Sequence, residues 1–303
     1  MTKSAKIEMR VGGKTVSISN PDKVYYPETG FTKGDVVSYY RAVAPALMPH
    51  LKGRPLTLKR YVDGVQGDFF YEKRCPPHRP EWVRTVAVRR KRDGKDIDFC
   101  VVENQATLLW AANLASIELH TGLAKARALR RPNFLVFDLD PGPPADVLDC
   151  AHVAVELKKS LEAVGLESFC KTSGSKGLQL FVPLNSAVTF DDTRTYAHSL
   201  ARTLEEAHPE EIVTEMKKEL RTGKVFIDWS QNAEQKTTVC VYSLRAREHP
   251  TVSTPVSWRE ITSALRKDDA ESLVFEAKEV LKRIDKNGDL FKPVVAKKQK
   301  LPV

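Results

Sequence analysis

The stretch Phe134-Leu-Val-Phe-Asp-Leu-Asp-Pro141 constrains this chain more than any other. Phe134 to Phe137 form a continuous apolar run, as expected of a central strand covered on both faces. Asp138 and Asp140 follow, and residues two apart in a strand point to the same face. Both carboxylates therefore emerge side by side where the strand leaves the core, and Pro141-Gly142-Pro143-Pro144 turns the chain away. Two like charges at the rim of a low-dielectric core repel each other. A hard divalent cation with oxygen ligands offsets that best. Taken alone, Asp-x-Asp also fits a capped strand end or a salt bridge to arginine. A third acid, Asp228, follows the apolar Val225-Phe-Ile227. Two strand-borne acidic clusters match the two-metal pattern of phosphoryl transfer.

The remainder of the chain bounds what surrounds those acids. Its 303 residues allow one large domain or two small ones, and 42% apolar residues suffice for a sizeable core. Lys and Arg number 48 against 39 Asp and Glu, and the net charge of +9 favours a polyanionic partner such as nucleic acid. No apolar run approaches the roughly 20 residues of a membrane span. Met1-Thr-Lys-Ser-Ala-Lys6 has no apolar run behind its charges, so no signal peptide is expected. The five cysteines are odd in number, scattered and without a CxxC pair, which indicates neither a disulfide framework nor a zinc ribbon. Cys75-Pro-Pro-His78 is only half of a metal-site spacing. A soluble protein of the reducing cytoplasm, associated with the nucleoid and not with a membrane, is the expectation.

Hydrophobic periodicity places a helix over 32–50, with Val36, Tyr40, Val43 and Leu47 on one face. Strands are expected at 56–61, 83–88 and 97–102, the last two joined across Asp93-Gly94, a hairpin signal. A helix over 104–116, a strand over 117–120, and then strand 134–140, helix 145–164, strand 178–183, helix 191–207 and strand 225–229 follow. Val239–Tyr242 suggests a further strand. Ser257-Trp-Arg-Glu260 is a capping box, and a last helix is expected over 270–285. Strands and helices mix without strict alternation, which gives an α+β class with open sheets covered by helices. Residues 1–290 are expected to form one domain, and 291–303 a basic, mobile tail.

Lys171-Thr-Ser-Gly-Ser-Lys-Gly177 precedes the apolar strand Leu178–Val182. Glycines admit an anion to backbone N–H groups, hydroxyls donate and lysine supplies charge. The spacing is not that of a Walker loop, and a strand follows rather than a helix. Arg221, Lys224, Lys236, Arg245 and Arg247 flank Asp228 and could clamp phosphates. His120 ends a short strand; a lone histidine is as readily structural. Phe69, Phe70 and Tyr71 are consecutive, so at least one ring leaves the core face, where it suits base stacking.

Six segments occur in one order: Asn20-Pro-Asp-Lys-Val-Tyr-Tyr-Pro27, Phe31-Thr-Lys-Gly-Asp35, Phe134–Gly142, Lys171–Leu178, Phe226-Ile-Asp-Trp-Ser-Gln-Asn232 and Tyr242-Ser-Leu-Arg-Ala-Arg247. Together they resemble the polymerase domain of bacterial ligase D, a primase–polymerase of non-homologous end joining. The resemblance runs from about residue 16 to about residue 285. It leaves no room for ligase and phosphoesterase modules, so a stand-alone relative or an excised domain is expected. It implies two helix-flanked β-sheets with the active site in the cleft between them. It implies extension of 3′ ends at short gaps or breaks bearing a 5′-phosphate, with ribonucleotides favoured. Asp138, Asp140 and Asp228 would bind two Mn2+ or Mg2+ ions. His120, Ser173, Lys176, Gln179, Arg221, Gln231 and Arg245 would hold the nucleoside triphosphate. Asn20, Lys23 and Lys33 would grip the 5′-phosphate, and Phe70 or Tyr71 would stack on the template. A Ku-type end binder and a separate ligase are the implied partners. Where this family commonly has a histidine, the chain has Gln179, which moves no proton.

Two rivals are weighed. Lys91-Arg-Asp-Gly94 matches the Lys-x-Asp-Gly of adenylating ligases, but it lies in a basic hairpin without companion motifs. A non-catalytic DNA-end-binding module would bind DNA and incorporate nothing.

Overall fold

The structure, a computed structural model, describes residues 6–90 and 93–302; Lys91 of the ligase-like match lies outside the described residues. Two six-stranded sheets carry the architecture. In the first, the acidic strand Phe134–Pro141 is central. It pairs antiparallel with Leu178–Pro183 on one side and Val225–Asp228 on the other. Ile212–Val213 extends the sheet beyond Val225–Asp228, and Phe169–Thr172 then Pro255–Val256 extend the opposite side. Helices Val147–Ala163 and Phe190–Ala207 pack on it. Each begins at a capping box, Asp146/Asp149 and Thr189/Asp192, in which two orphan backbone donors find side-chain oxygens. Covered in this way, Leu135, Val136, Phe137 and Leu139 have no more than 0% exposure.

The second sheet runs Thr238–Val239, Ser116–Thr121, Pro55–Arg60, Asp96–Val101, Arg84–Arg89, with Phe70–Glu72 also pairing with Pro55–Arg60. Helices Lys33–Leu51 and Gln105–Asn113 pack together, the first tied to the sheet by Tyr40, whose hydroxyl donates to the Ile117 carbonyl at 2.6 Å. The chain crosses between the two sheets three times, and the last crossing segment leaves the second at Val239, paired with His120, and reaches the first at Pro255, paired with Lys171. The mixed α+β class and the two helix-flanked sheets match the expectation.

Three local expectations are corrected. The cysteine spacing argued against disulfides, yet Cys75 and Cys100 are bonded, with Cα atoms 4.9 Å apart. The Cys75 loop docks on the strand bearing Cys100, its N–H donating to the Asp98 carbonyl at 2.6 Å. Tertiary docking, not spacing, makes that pair, and it removes Cys75 from any zinc half-site. Disulfides are rare in reducing compartments, so cysteine usage does not carry the expected cytoplasmic location. No helix among the described residues is long and apolar enough to cross a membrane.

The helix expected over 270–285 is a 3-10 turn at Glu271–Leu273 followed by Ala277–Asn287. The segment after 290, expected to be mobile, is packed. Phe291, Val294 and Leu301 are buried, and Phe291 meets the rings of Phe181 and His50. Gln299 bonds to the backbone of Glu167, Pro183 and Leu184. Three apolar side chains spaced among lysines outweigh the segment's Pro- and Lys-rich composition. Replacing a buried phenylalanine by alanine costs about 3–5 kcal/mol. Phe291→Ala is therefore expected to lower the thermal midpoint by several degrees; an unchanged midpoint would contradict the packing.

Candidate active site

The pairing register lines up four side chains across the first sheet. Asp138 lies opposite Asp228 on one neighbour and Gln179 on the other, and Gln179 lies opposite Lys171. Registered residues in a sheet share a face. Asp140 stands on that face one pleat further along. Burial, and then the Asp140 charge, raise Asp138 to about 7. Burial and Asp228 raise Asp140, against the pull of Arg221 and Arg245. Asp228 is held by its own turn, accepting from Ser230 N–H at 2.9 Å, Ser230 Oγ at 2.6 Å and Gln231 Nε2 at 2.8 Å. Among the described residues, no three His, Cys, Asp or Glu side chains stand arranged to hold one ion. Asn232 clamps the acidic strand from below, exchanging two hydrogen bonds with the Val136 backbone.

The Ser/Gly loop is pressed onto this row. A Cβ on Gly177 would lie 1.9 Å from the Leu139 carbonyl oxygen, so only glycine lets the loop approach the acidic strand. Ser173 Oγ accepts from the N–H groups of Ser175 and Gly177 and closes the loop. Lys176 is exposed at its tip. Gly142 makes the matching approach at the strand's end, where a Cβ would meet the Arg221 carbonyl oxygen at 1.8 Å. Arg221 lies over the Phe226 ring at 3.6 Å.

One buried carboxylate, Glu118, binds the second sheet to the first. It accepts from His120 Nε2 at 2.9 Å, from Tyr61 Oη at 3.3 Å and from Ala246 N–H at 3.2 Å. Lys59 Nζ and Arg245 Nε each lie 3.4 Å from it. Arg245 in turn donates to the Ser173 carbonyl at 2.7 Å. These partners outweigh the burial that would neutralise Glu118 and hold its carboxyl below the usual range. Burial lowers His120 despite Glu118. Seven buried side-chain atoms among the described residues lack a hydrogen-bond partner, and three are Arg221 Nε, Gln231 Oε1 and Arg245 Nε, the last held only by its ion pair with Glu118. Orphaned polar atoms gathered beside paired acids mark a place for a polar ligand.

A second cluster lies at the start of helix Lys33–Leu51. Asn20 sits at positive φ in a turn whose Pro21 and Lys23 carbonyls accept from the first N–H groups of that helix. Lys33 is 5% exposed and donates to Ser19 Oγ at 3.0 Å. Burial lowers its pKa to about 8, and Lys23 and Arg60 push the same way. Lys23 is partly exposed and pairs with Asp63 at 2.7 Å. Two lysines at a helix N-terminus suit a phosphate. Between the two clusters, Phe69, Phe70 and Tyr71 are about half exposed. Tyr71 meets His120 edge-on at 5.7 Å, and Arg60 lies over Phe70 at 5.1 Å.

The LigD primase–polymerase domain profile matches residues 32–291. The chain belongs to that family. It is 38% identical over 287 residues to the multifunctional non-homologous end joining protein LigD of Mycolicibacterium smegmatis, covering 93% of this chain and 36% of that protein. It is 35% identical over 271 residues to the bifunctional LigD of Bacillus subtilis, covering 89% and 42%. The chain thus spans well under half the length of these relatives. Its structure matches the polymerase domain of Mycobacterium tuberculosis ligase D, solved in complex with DNA, with a TM-score of 0.86, 36% identity and 94% and 99% coverage.

LigD membership makes the chain a nucleotidyltransferase of the primase–polymerase superfamily. The structure gathers Asp138, Asp140, Asp228 and Gln179 on one sheet, with Gln231 in the turn after Asp228, and places His120 and Arg245 around Glu118, with Ser173 reached through Arg245. Asn20, Lys23 and Lys33 form their own patch, and Lys224 turns away to the Pro209 carbonyl. Sequence reasoning missed Glu118, Lys59, Lys171 and Asn232. The one available signal was an acid, Glu118, within the otherwise uncharged Ser116-Ile-Glu-Leu-His120. Breaking a buried ion pair costs roughly 3–5 kcal/mol. Glu118→Ala is expected to lower both thermal stability and nucleotide affinity, read by thermal unfolding and by titration with nucleoside triphosphate. Wild-type values for both would refute its role as anchor.

Proposed function

We propose that this chain extends the 3′ end of a DNA strand at a short gap or break whose downstream strand carries a 5′-phosphate, favouring ribonucleotides and using two Mn2+ or Mg2+ ions. The observation that carries this is the register of Asp138 opposite Asp228, with Asp140 on the same face, orphaned Arg221 and Gln231 atoms beside them, and the Arg245 charge bearing on Asp140. Three carboxylates are the donor chemistry that hard divalent ions take. Asp138, Asp140 and Asp228 would hold them, Asp228 exchanging its bonds to Ser230 and Gln231. The chemistry such ions supply is activation of a 3′-hydroxyl and neutralisation of a leaving pyrophosphate. Arg245, fixed between Glu118 and Ser173, and Arg221 orient the triphosphate, with the Ser173–Gly177 loop and Lys176. His120 packs between Glu118 and Tyr71, where it positions sugar and base while Phe70 or Tyr71 stacks on the template. Asn20, Lys23 and Lys33 receive the 5′-phosphate. A Ku-type end binder and a ligase complete the repair that the relatives' names describe.

A gap-filling assay tests this, with ribo- and deoxynucleotides, either metal, and gaps with or without a 5′-phosphate. Asp138→Ala or Asp140→Ala is expected to abolish incorporation while leaving DNA affinity within about twofold; full activity in either would sink the metal assignment. Lys23→Ala is expected to weaken the preference for phosphorylated gaps, and an unchanged preference would argue against the pocket. The sign of the pH dependence follows from Lys33, charged below about 8 and neutral above it. Bound phosphate favours the charged form, so the preference should be full near neutrality and decline above pH 8. A preference undiminished at markedly alkaline pH would remove Lys33 from the pocket.

A further inference from the structure

Lys171 is fully buried in the first sheet and has no place in the proposal above. Its Nζ donates to Gln179 Oε1 at 2.5 Å and to Ser253 Oγ at 2.6 Å. Ser253 Oγ directs its own proton to the Thr172 carbonyl at 2.8 Å, so toward Lys171 it can only accept. Lys171 Nζ is the donor in both contacts, whereas a glutamine amide carries an acceptor on one side and donors on the other. With its oxygen claimed by Lys171, the Gln179 amide must turn its NH2 the other way along the row. Its registered neighbour there is Asp138. Flipped, the amide would present its oxygen to the carboxylate, and the two oxygens would repel.

We propose that Lys171, anchored by Ser253, is a positioning residue that locks the Gln179 amide so that its NH2 faces Asp138 and holds that carboxylate in its working orientation. Lys171 touches no substrate; it acts through Gln179. The proposal rests on the metal-bearing role of Asp138 given above. It adds that the role depends on a buried lysine two strands away.

The test is a double-mutant cycle on Lys171→Met and Gln179→Leu. Effects of residues that act through one another are not additive. Lys171→Met is expected to lower kcat about tenfold or more, with KM for the nucleotide changed by less than about threefold. In the Gln179→Leu background the same change is expected to cost less than about twofold. Equal costs in both backgrounds would overturn the proposal, as would full activity of Lys171→Met. Ser253→Ala, which removes the anchor but keeps the charge, is expected to give a partial loss and covers the case in which Lys171→Met does not fold. A second readout needs no turnover. In protein labelled with 15N-glutamine, the Gln179 side-chain amide, identified by its loss in Gln179→Leu, should exchange slowly with solvent in the parent. It should shift and exchange faster in Lys171→Met or Ser253→Ala. An unmoved amide signal refutes the lock even if the parent incorporates nothing, whereas a parent without incorporation refutes only the polymerase reading.

Discussion

A single carboxylate, Glu118, makes one site out of two sheets. Buried with 2% of its side chain exposed, it would be neutral or absent without partners. It has five, drawn from its own strand, the adjacent strand and the crossing segment. Through Arg245 its influence reaches the Ser173 carbonyl in the loop that presses on the acidic strand. Lys59, Arg245 and the His120 ring thus share one carboxylate, and each is held in place by it. Such an arrangement fixes positions at the expense of stability: a well-packed apolar replacement for a buried ion pair is often no less stable. Its value lies in orientation, the commodity nucleotidyl transfer needs.

The acidic row is the opposite case. Asp138, Asp140 and Asp228 repel one another, and burial raises the first two toward neutrality. The sheet tolerates this because its far side is so well covered. Leu139 and Phe137 alternate with the acids into a core closed by two capped helices. The row is also not uniformly acidic: Gln179 and Lys171 continue it, so its charge changes sign within four registered positions. A pattern of acid, acid, amide and ammonium spreads the electrostatic cost along the sheet.

Much of this was legible in the sequence, and the division is physical. Strand periodicity shows that Asp138 and Asp140 share a face, because alternation is local. It does not show that Asp228 and Gln179 flank Asp138, because register depends on pairing between segments dozens of residues apart. The strands Ile212–Val213 and Pro255–Val256 escaped for the same reason: two residues carry no period, and only neighbours make them strands. Glu118 was hidden because an acid in a short apolar run looks like an interruption until its cations arrive from elsewhere in the fold. Cys75 and Cys100 met through loop docking. The segment after 290 was misjudged because composition averaged over lysines conceals three well-spaced apolar contacts.

The strand Pro55–Arg60 links the Glu118 cluster to the Lys33 cluster. Alternation sends Lys59 to the Glu118 face, while Arg60 goes to the other side, donating to the Leu114 carbonyl at 2.6 Å and pairing with Glu72 at 2.8 Å. Arg60 also bears on Lys33 electrostatically and lies over Phe70. One strand therefore contributes neighbouring residues to the Glu118 cluster, the aromatic ledge and the surroundings of Lys33. On the proposed reading, a 3′ end held at the acidic row and a 5′-phosphate held at Lys33 are separated by a distance set by rigid backbone rather than by a flexible linker.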